Sequence, residues 1–347
     1  MIIASVRPAQ ADPRLQVRAR CRIDLWRTIV IALLTGAIST PVTVYAQEVP
    51  ADAAPNQWFT GSLEAPSPPL PKAGMLALEP YLVYQSNTGA YGSNGDHHTV
   101  ADNTSTIESV LVIKYAITDK LTFEALPAIS HSSADHAAPT GTSFGDLPVE
   151  LEYSVMKGNY KTGAPTVTLD LGVTAPTGEY DRLQKPLEGV GGGAWLLKQG
   201  VVAQSLFDTW GNHPVRLRAW AEVFEPLQDA TVNDASVYGT AAGFHGRAAP
   251  GVSGQVGLAG GWAIDQRWVL AIDFVDTYAN GYRAKGVDAT QTFVQIQGPI
   301  QNSFAIAPAI EYNWSANAGL IFGLEFSAAG RNTASYVAPQ IALAVSF

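Results

Sequence analysis

The sequence predicts an all-β protein, namely a transmembrane, antiparallel, up-and-down β-barrel of about twelve strands. Three observations predict it. Only 15% of the 347 residues are charged, against about 25% in a typical soluble protein. From residue 74 onward, apolar and polar residues alternate in segment after segment, which is the period of a strand with two different faces. The links between these segments are alternately short and long.

Residues 1–46 are predicted to be a secretory signal peptide. Six arginines precede the apolar run "TIVIALLTGA", and Ala46 offers a small residue before the expected cleavage point. The single cysteine, Cys21, would leave with this segment. We therefore expect an exported chain without disulfides or cysteine metal sites.

Removal of the signal would leave an acidic protein. Six of the 21 basic residues and two of the 30 acidic residues lie in the signal, so the net charge would change from −9 to −13. Binding to nucleic acid needs a basic face, so nucleic acid is not expected as a partner. No cofactor and no metal site are predicted.

Residues 47–73 are predicted to form a proline-rich, periplasmic N-terminal extension. Proline recurs too often there for a helix or a central strand. Three interpretations stay open for this segment. It is a disordered tail, an extended segment that docks through Trp58 and Phe59, or a plug of the bore.

Residues 74–347 are predicted to be the outer-membrane β-barrel. A representative segment is "WVLAIDF", in which Trp268, Leu270, Ile272 and Phe274 alternate with smaller or polar residues. The segment "AWLLKQGVVAQSLF" alternates least clearly. Twelve segments are predicted, with centres near residues 80, 111, 125, 151, 170, 201, 219, 256, 271, 309, 323 and 341.

The links predict which end of each strand faces which compartment. Three of them, "TDK", "DQ" and "SANA", have the length of hairpin turns. Long polar links are predicted at residues 86–104, 131–143, 177–193, 227–248 and 279–301. Short turns at one end and long loops at the other are typical of outer-membrane barrels, so we expect a cell outer membrane location.

The chain ends on "IALAVSF", a strand pattern with no polar tail. Lipid cannot satisfy the hydrogen-bonding groups of a free sheet edge, so the last strand is expected to pair with the first and close the ring. A soluble sandwich is the less favoured alternative. We expect a monomer surrounded by outer-membrane lipid, with Phe347 at the periplasmic interface.

The polar side of the alternation should face the lumen. It carries more carboxylates than cations, and acidic walls disfavour anions. An arginine fork can pair two carboxylates, and Arg216, Arg218 and Lys114 are predicted to face Glu150, Glu152, Asp170 and Glu222. The predicted pore-lining residues are Lys114, Glu150, Glu152, Asp170, Arg216, Arg218, Glu222, Asp273, Glu311 and Glu325.

Three stretches resemble the outer-membrane protein family of the meta-pathway of phenol degradation. They are "LEPYLVY", "FGDLPVELEYSV" and "LDLGVTAPTGEYD", and the terminal phenylalanine also fits. The resemblance covers residues 74–347. It implies a transporter barrel of the outer membrane, recognition of Phe347 by the barrel-insertion machinery, and no catalytic residues.

The predicted function is passive passage of small, hydrophobic or aromatic solutes, because no nucleotide-binding motif is present. The alternative is a structural or adhesive barrel that acts through its external loops. A hydrolase is less favoured, since "HSSADH" at residues 131–136 only crowds triad residue types together and no G-x-S-x-G motif occurs. An autotransporter is not expected, because little chain precedes the first strand.

Overall fold

The structure is a computed structural model that describes residues 57–135, 141–185, 187–209 and 213–347. The predicted signal peptide and the first ten residues of the predicted extension lie outside these ranges. Every regular element in the described ranges is a strand. None of the described residues belongs to a helix that is long and apolar enough to cross a membrane.

The described ranges contain eighteen strands. In chain order they are β1 (Leu76–Tyr91), β2 (His97–Thr118), β3 (Leu121–Ala125), β4 (Ala128–Ala134), β5 (Ser143–Phe144), β6 (Leu147–Met156), β7 (Thr166–Ala175), β8 (Leu196–Asp208), β9 (Pro214–Pro226), β10 (Ala230–Asn233), β11 (His245–Ala249), β12 (Ser253–Ala263), β13 (Trp268–Ala279), β14 (Arg283–Val287), β15 (Phe293–Gln297), β16 (Gln301–Ser315), β17 (Ala318–Arg331) and β18 (Thr333–Ser346).

The main sheet closes into a barrel. Each barrel strand pairs antiparallel with its neighbours, and β1 pairs with both β2 and β18, which completes the ring. Strands β3 and β4 both pair with β2 and are two parts of one wall strand, interrupted at Leu126–Pro127. β5 and β6, which pair with β4 and β3, are likewise two parts of one wall strand. The fourteen strands of the main sheet thus form a wall of twelve, and the prediction of a closed antiparallel barrel is confirmed. Each of the twelve predicted centres lies in a wall strand, including the unclear one near residue 201, which is β8.

The two faces of the wall differ as the alternation predicts. In β13, Trp268, Leu270, Ile272 and Phe274 are exposed, whereas the residues between them are buried inside the barrel. Large exposed apolar side chains recur in the same way around the wall. Such an outward apolar band is what a lipid bilayer requires of a spanning barrel.

Aromatic rings collect near the short turns. Trp268, Tyr312 and Trp314 form a chain of ring contacts, with centroids 4.6 Å and 5.7 Å apart. Trp268 and Trp314 are exposed on the outer surface. Amphipathic rings are favoured at the depth of lipid headgroups, so this end of the barrel carries an interfacial girdle.

The predicted long link at residues 86–104 is wrong in extent. β1 continues to Tyr91 and β2 begins at His97, so the turn covers only residues 92–96. The alternation of apolar and polar residues fades above residue 86 because both faces of the hairpin are polar there. Backbone pairing nevertheless continues, with a register shift between Asn87 and Gly89.

Two of the long loops fold into a second sheet at the end opposite the short turns. β10, β11, β14 and β15 form a four-stranded antiparallel sheet, which we call the outer sheet. Its apolar core includes Val232, Phe244 and Ala284, and Ala194 from the loop after β7 joins it. These two loops and the loop after β7 are therefore packed together.

The described part of the extension enters the barrel, a placement that the sequence leaves open. Residues 57–70 lie inside the lumen, and every residue from Phe59 to Leu70 is buried. We call residues 57–70 the plug. Both of its ends lie at the short-turn end of the barrel, because the backbone N–H of Trp58 donates to the carbonyl of Gln266 (3.3 Å) and the N–H of Ala73 donates to Asp119 (2.8 Å).

Candidate functional site in the barrel lumen

The plug is bound to one side of the lumen by carboxylates on β13 and β16. The backbone N–H of Thr60 donates to Glu311 Oε2 at 2.8 Å. Asp273 accepts two bonds, from the Ser62 hydroxyl at 2.5 Å and from the backbone N–H of Glu64 at 2.8 Å. The carboxylates thus satisfy plug donors that would otherwise be buried without partners.

Two arginines on β9 hold plug carbonyls. Arg216 Nη2 donates to the carbonyl of Gly61 at 2.6 Å and to Glu311 Oε1 at 2.7 Å. Arg218 Nη1 donates to the carbonyl of Ala65 at 3.1 Å. Arginine suits this task because its several donors are arranged in a rigid plane. The pair Arg216–Glu311 is therefore shared between the wall and the plug.

Further contacts come from strands β2 and β18 of the wall. Lys114 on β2 donates to the Ser67 hydroxyl at 3.0 Å. Gln340 on β18 donates to Glu64 Oε1 at 2.9 Å and to Glu325 Oε2 at 3.2 Å. The plug is therefore bonded to strands on several sides of the barrel, so that its segments span the bore.

Apolar contacts also hold the plug against the wall. The plug residues Leu63 and Leu70 belong to one buried cluster with apolar residues of the inner wall. Ala65 and Phe59 each join another such cluster. The wall members of these clusters include Tyr81, Val110, Val112, Leu126, Val202, Trp220, Val275, Leu206 and Val269. The inner wall thus offers apolar patches beside its charges.

A second group of charges lies where β3, β6, β7, β8 and β9 adjoin. Lys114 bridges Glu124 (2.9 Å) and Glu152 (2.7 Å). Lys198 bridges Glu150 (2.5 Å) and a carboxylate of β9, Glu222 (3.0 Å). All of these side chains are buried, so their net effect on stability depends on complete pairing.

The structure places all ten predicted pore-lining residues on the inner side of the wall and separates them into two groups. Lys114, Glu150, Glu152, Asp170 and Glu222 lie with the bridging lysines, whereas Arg216, Arg218, Asp273, Glu311 and Glu325 lie around the plug. Their role toward a solute stays a prediction.

The expected pairing of these charges was wrong in one respect. Lysines, not arginines, bridge the pairs of carboxylates, while Arg216 and Arg218 bind backbone carbonyls of the plug. The sequence could not predict this because it does not place residues 57–70 inside the barrel. Lys198 and Gln340 were not among the predicted site residues, although both share the polar side of the alternation.

The motif residue Asp146, which precedes β6, fastens the loop between β7 and β8. Its carboxylate accepts bonds from the backbone N–H groups of Gly178 (2.9 Å) and Gly192 (2.8 Å). Burial raises the pKa of Asp146, and the bonds from Gly192, Gly178 and Thr177 act in the opposite direction. The two ends of this loop are thereby held at the entry of β6.

We expect Asp146→Ala to loosen this loop and leave the barrel folded. Loss of the carboxylate leaves two partly buried backbone N–H groups without an acceptor, at a cost of about 1–3 kcal/mol each. Hydrogen exchange should accelerate in residues 176–195. As a control, Asp288→Ala removes an exposed turn-forming carboxylate in another outer loop and should leave that exchange unchanged. Unaltered exchange in Asp146→Ala would contradict the fastening role.

The crowded residues at 131–136 do not form a triad in the described part of this segment. His131 and Ser132 are neighbours on β4, so their side chains point to opposite faces of the wall. Ser132 bonds to the hydroxyl of Thr106 inside the barrel (2.9 Å), and His131 contacts the carbonyl of Gly141 (3.3 Å). His136 lies outside the described residues.

Comparisons with known proteins concern the fold. No family model matches the chain, and no curated protein sequence matches it. The structure is similar to the COG4313 outer membrane channel from Pseudomonas putida F1, with a TM-score of 0.59, 18% identity, and coverage of 79% of this chain and 96% of that chain.

Lower TM-scores are found for two other solved structures. The transport unit of the autotransporter AIDA-I from Escherichia coli gives 0.44, with 11% identity and coverage of 80% of this chain and 91% of that chain. The Ralstonia pickettii toluene transporter TbuX gives 0.38, with 12% identity and coverage of 80% and 90%. The closed wall, the outward apolar band and the likeness of the fold to the COG4313 channel make this chain a β-barrel of the outer membrane.

Proposed function

We propose that the protein is an outer-membrane channel for passive passage of small apolar or aromatic solutes, and that the plug closes it. The observation that carries the proposal is that residues 59–70 lie buried within the ring of wall strands. A wall of twelve strands is wide enough to hold a ligand or a segment of chain. A segment bound by reversible contacts is able to move aside.

The chemistry of the inner wall supports an apolar cargo. The patch around Tyr81, Val112 and Leu126, and a second patch around Trp220, are covered by the plug in this structure. Displacement of the plug would offer these surfaces to a solute. The surrounding carboxylates would repel anions, so neutral or cationic aromatic molecules fit this lumen better than acids.

The family resemblance points in the same direction. The stretch "FGDLPVELEYSV" and the Pro-Thr-Gly at 176–178 meet through Asp146 and Gly178 (2.9 Å). The resemblance therefore rests on residues that have a structural task in this fold. Membership of the meta-pathway family, and with it an aromatic substrate, belongs to this proposal.

The proposed function is tested by uptake in living cells. A strain that lacks this protein should grow more slowly than its parent on low concentrations of neutral aromatic compounds, because their entry across the outer membrane limits growth. Growth on a small sugar serves as the control and should be equal in both strains. Equal growth on every aromatic compound of the panel would contradict the proposal.

The outer sheet is the feature that favours the adhesive alternative. It has its own apolar core and lies at the end of the barrel where long loops face the exterior. An adhesin would lose attachment of whole cells to surfaces when residues 280–300 are deleted, while uptake would not change. The channel proposal instead expects that changes to the plug alter uptake and leave the attachment of cells to surfaces unchanged.

A further inference from the structure

Four buried carboxylates meet on three adjacent strands of the inner wall. Glu124 on β3 is paired in register with Glu150 on β6, and Glu152 on β6 is paired with Asp170 on β7. Oxygen atoms of Glu124, Glu150 and Glu152 lie within 4.8 Å of one another. We call these four residues the carboxylate cluster.

The lysines neutralise only part of this charge. The four carboxylates of the cluster adjoin two ammonium groups, those of Lys114 and Lys198, and Lys198 is also paired with Glu222. With all four carboxylates ionised, the cluster would carry more negative charge than these two lysines neutralise. Unpaired carboxylates at such short range repel one another strongly where the dielectric constant is low.

Asp170 gives independent evidence for a ligand. It is 4% exposed, and neither of its oxygens has a hydrogen-bond partner among the described residues. One buried oxygen on each of the three glutamates, Glu124 Oε1, Glu150 Oε1 and Glu152 Oε2, also lacks such a partner. Buried acceptors without partners are rare in native proteins, and each one needs an explanation.

The wall is shaped so that Asp170 can remain in this position. The facing residue on β8 is Gly200, and a Cβ there would lie 3.2 Å from Asp170 Oδ2 and 3.3 Å from Asp170 Cβ. The carboxylate of Asp170 therefore lies in the space left open by Gly200, beside Glu222 and shielded from solvent.

We propose that the carboxylate cluster binds one divalent cation, with calcium preferred. The available donors are carboxylate oxygens only, which hard cations favour over zinc or copper. Separations up to 4.8 Å are those of oxygens on opposite sides of a calcium ion whose bonds measure about 2.3–2.6 Å. Calcium also accepts irregular geometry, whereas magnesium demands an octahedron and retains several waters.

The test is calcium binding to the full mature chain, purified in detergent and freed of metal with a chelator. Calorimetric titration with CaCl₂ should show one calcium per chain, and calcium should raise the melting temperature. Asp170→Asn should raise the dissociation constant for calcium by at least about tenfold, because it removes a negative charge beside the three glutamate ligands. Glu150→Gln provides a second variant if Asp170→Asn does not fold.

Glu225→Gln is the matched control, since it removes an exposed carboxylate of β9 and should leave binding unchanged. Three results would overturn the proposal. They are the absence of stoichiometric binding in the unsubstituted chain, equal affinity in Asp170→Asn, and tighter binding of magnesium than of calcium. The first would mean that protons, rather than a metal ion, neutralise the cluster.

Discussion

A chain that lacks residues 57–70 is expected to carry a steady ionic current across a planar bilayer, whereas the intact chain is expected to conduct little. The plug residues from Phe59 to Leu70 are buried inside the barrel, so they occupy space through which ions would otherwise pass. Removal of the segment leaves a polar lumen lined by hydrated charges. Such a lumen resembles the water-filled interior of larger barrels.

A single substitution should release the plug without shortening the chain. Gly319 on β17 faces the lumen, and a Cβ there would lie 2.2 Å from Thr60 Oγ1 and 2.7 Å from Asn313 Oδ1. Gly319→Val is therefore expected to expel the plug near Thr60, to increase conductance, and to make residues 57–70 susceptible to protease. The wall should remain intact, because these nearest atoms belong to side chains.

The control for this prediction adds the same side chain to the other face. Gly260 on β12 lies on the outward side of the wall, and a Cβ there would meet only Leu217 Cδ2, at 3.8 Å. Gly260→Val should behave as the unsubstituted chain does. Equal currents from the intact and the deleted chain would show that residues 57–70 do not close the bore.

The second large effect is expected for Arg216→Met, which should lower the free energy of unfolding by about 3–5 kcal/mol. The guanidinium is bonded to Glu311 at 2.7 Å, and both side chains are almost completely buried. Loss of the arginine leaves an uncompensated carboxylate in the lumen. It also removes the bond to Gly61 and the contact with the ring of Phe59, whose centroid is 4.8 Å away.

A double variant separates the charge from the packing. Arg216→Met combined with Glu311→Gln removes both charges and keeps an acceptor for the Thr60 N–H, so most of the lost stability should return. Equilibrium unfolding in urea with lipid vesicles measures both effects. The exposed pair Arg247–Asp229, at 3.8 Å, is the control, and Arg247→Met should cost only about 0–1 kcal/mol. A loss of stability as small as this in Arg216→Met would contradict the role of Arg216 as the buried ion-pair partner of Glu311.

The alternation of residue types along the chain was enough to predict the class of fold, the number of wall strands and, for most of the wall, the face on which a side chain lies. These properties are local, because a period of two depends only on neighbouring residues and on the contrast between lipid outside and a polar lumen inside. Glu150, Asp170 and Glu311 could be assigned to the inner face for this reason. The same reasoning failed at residues 86–104, where both faces are polar and no contrast marks the strand.

Which partners the inner residues bind could be learned only from the three-dimensional packing. The bond from Thr60 to Glu311 joins residues 251 positions apart, and no periodicity in the sequence reports such a pairing. The proline-rich extension has no alternation of its own, so its place in the lumen depends on donors and acceptors from several strands at once. The choice of lysine as the bridging cation and the folding of two loops into the outer sheet depend likewise on strands that closure of the ring brings together.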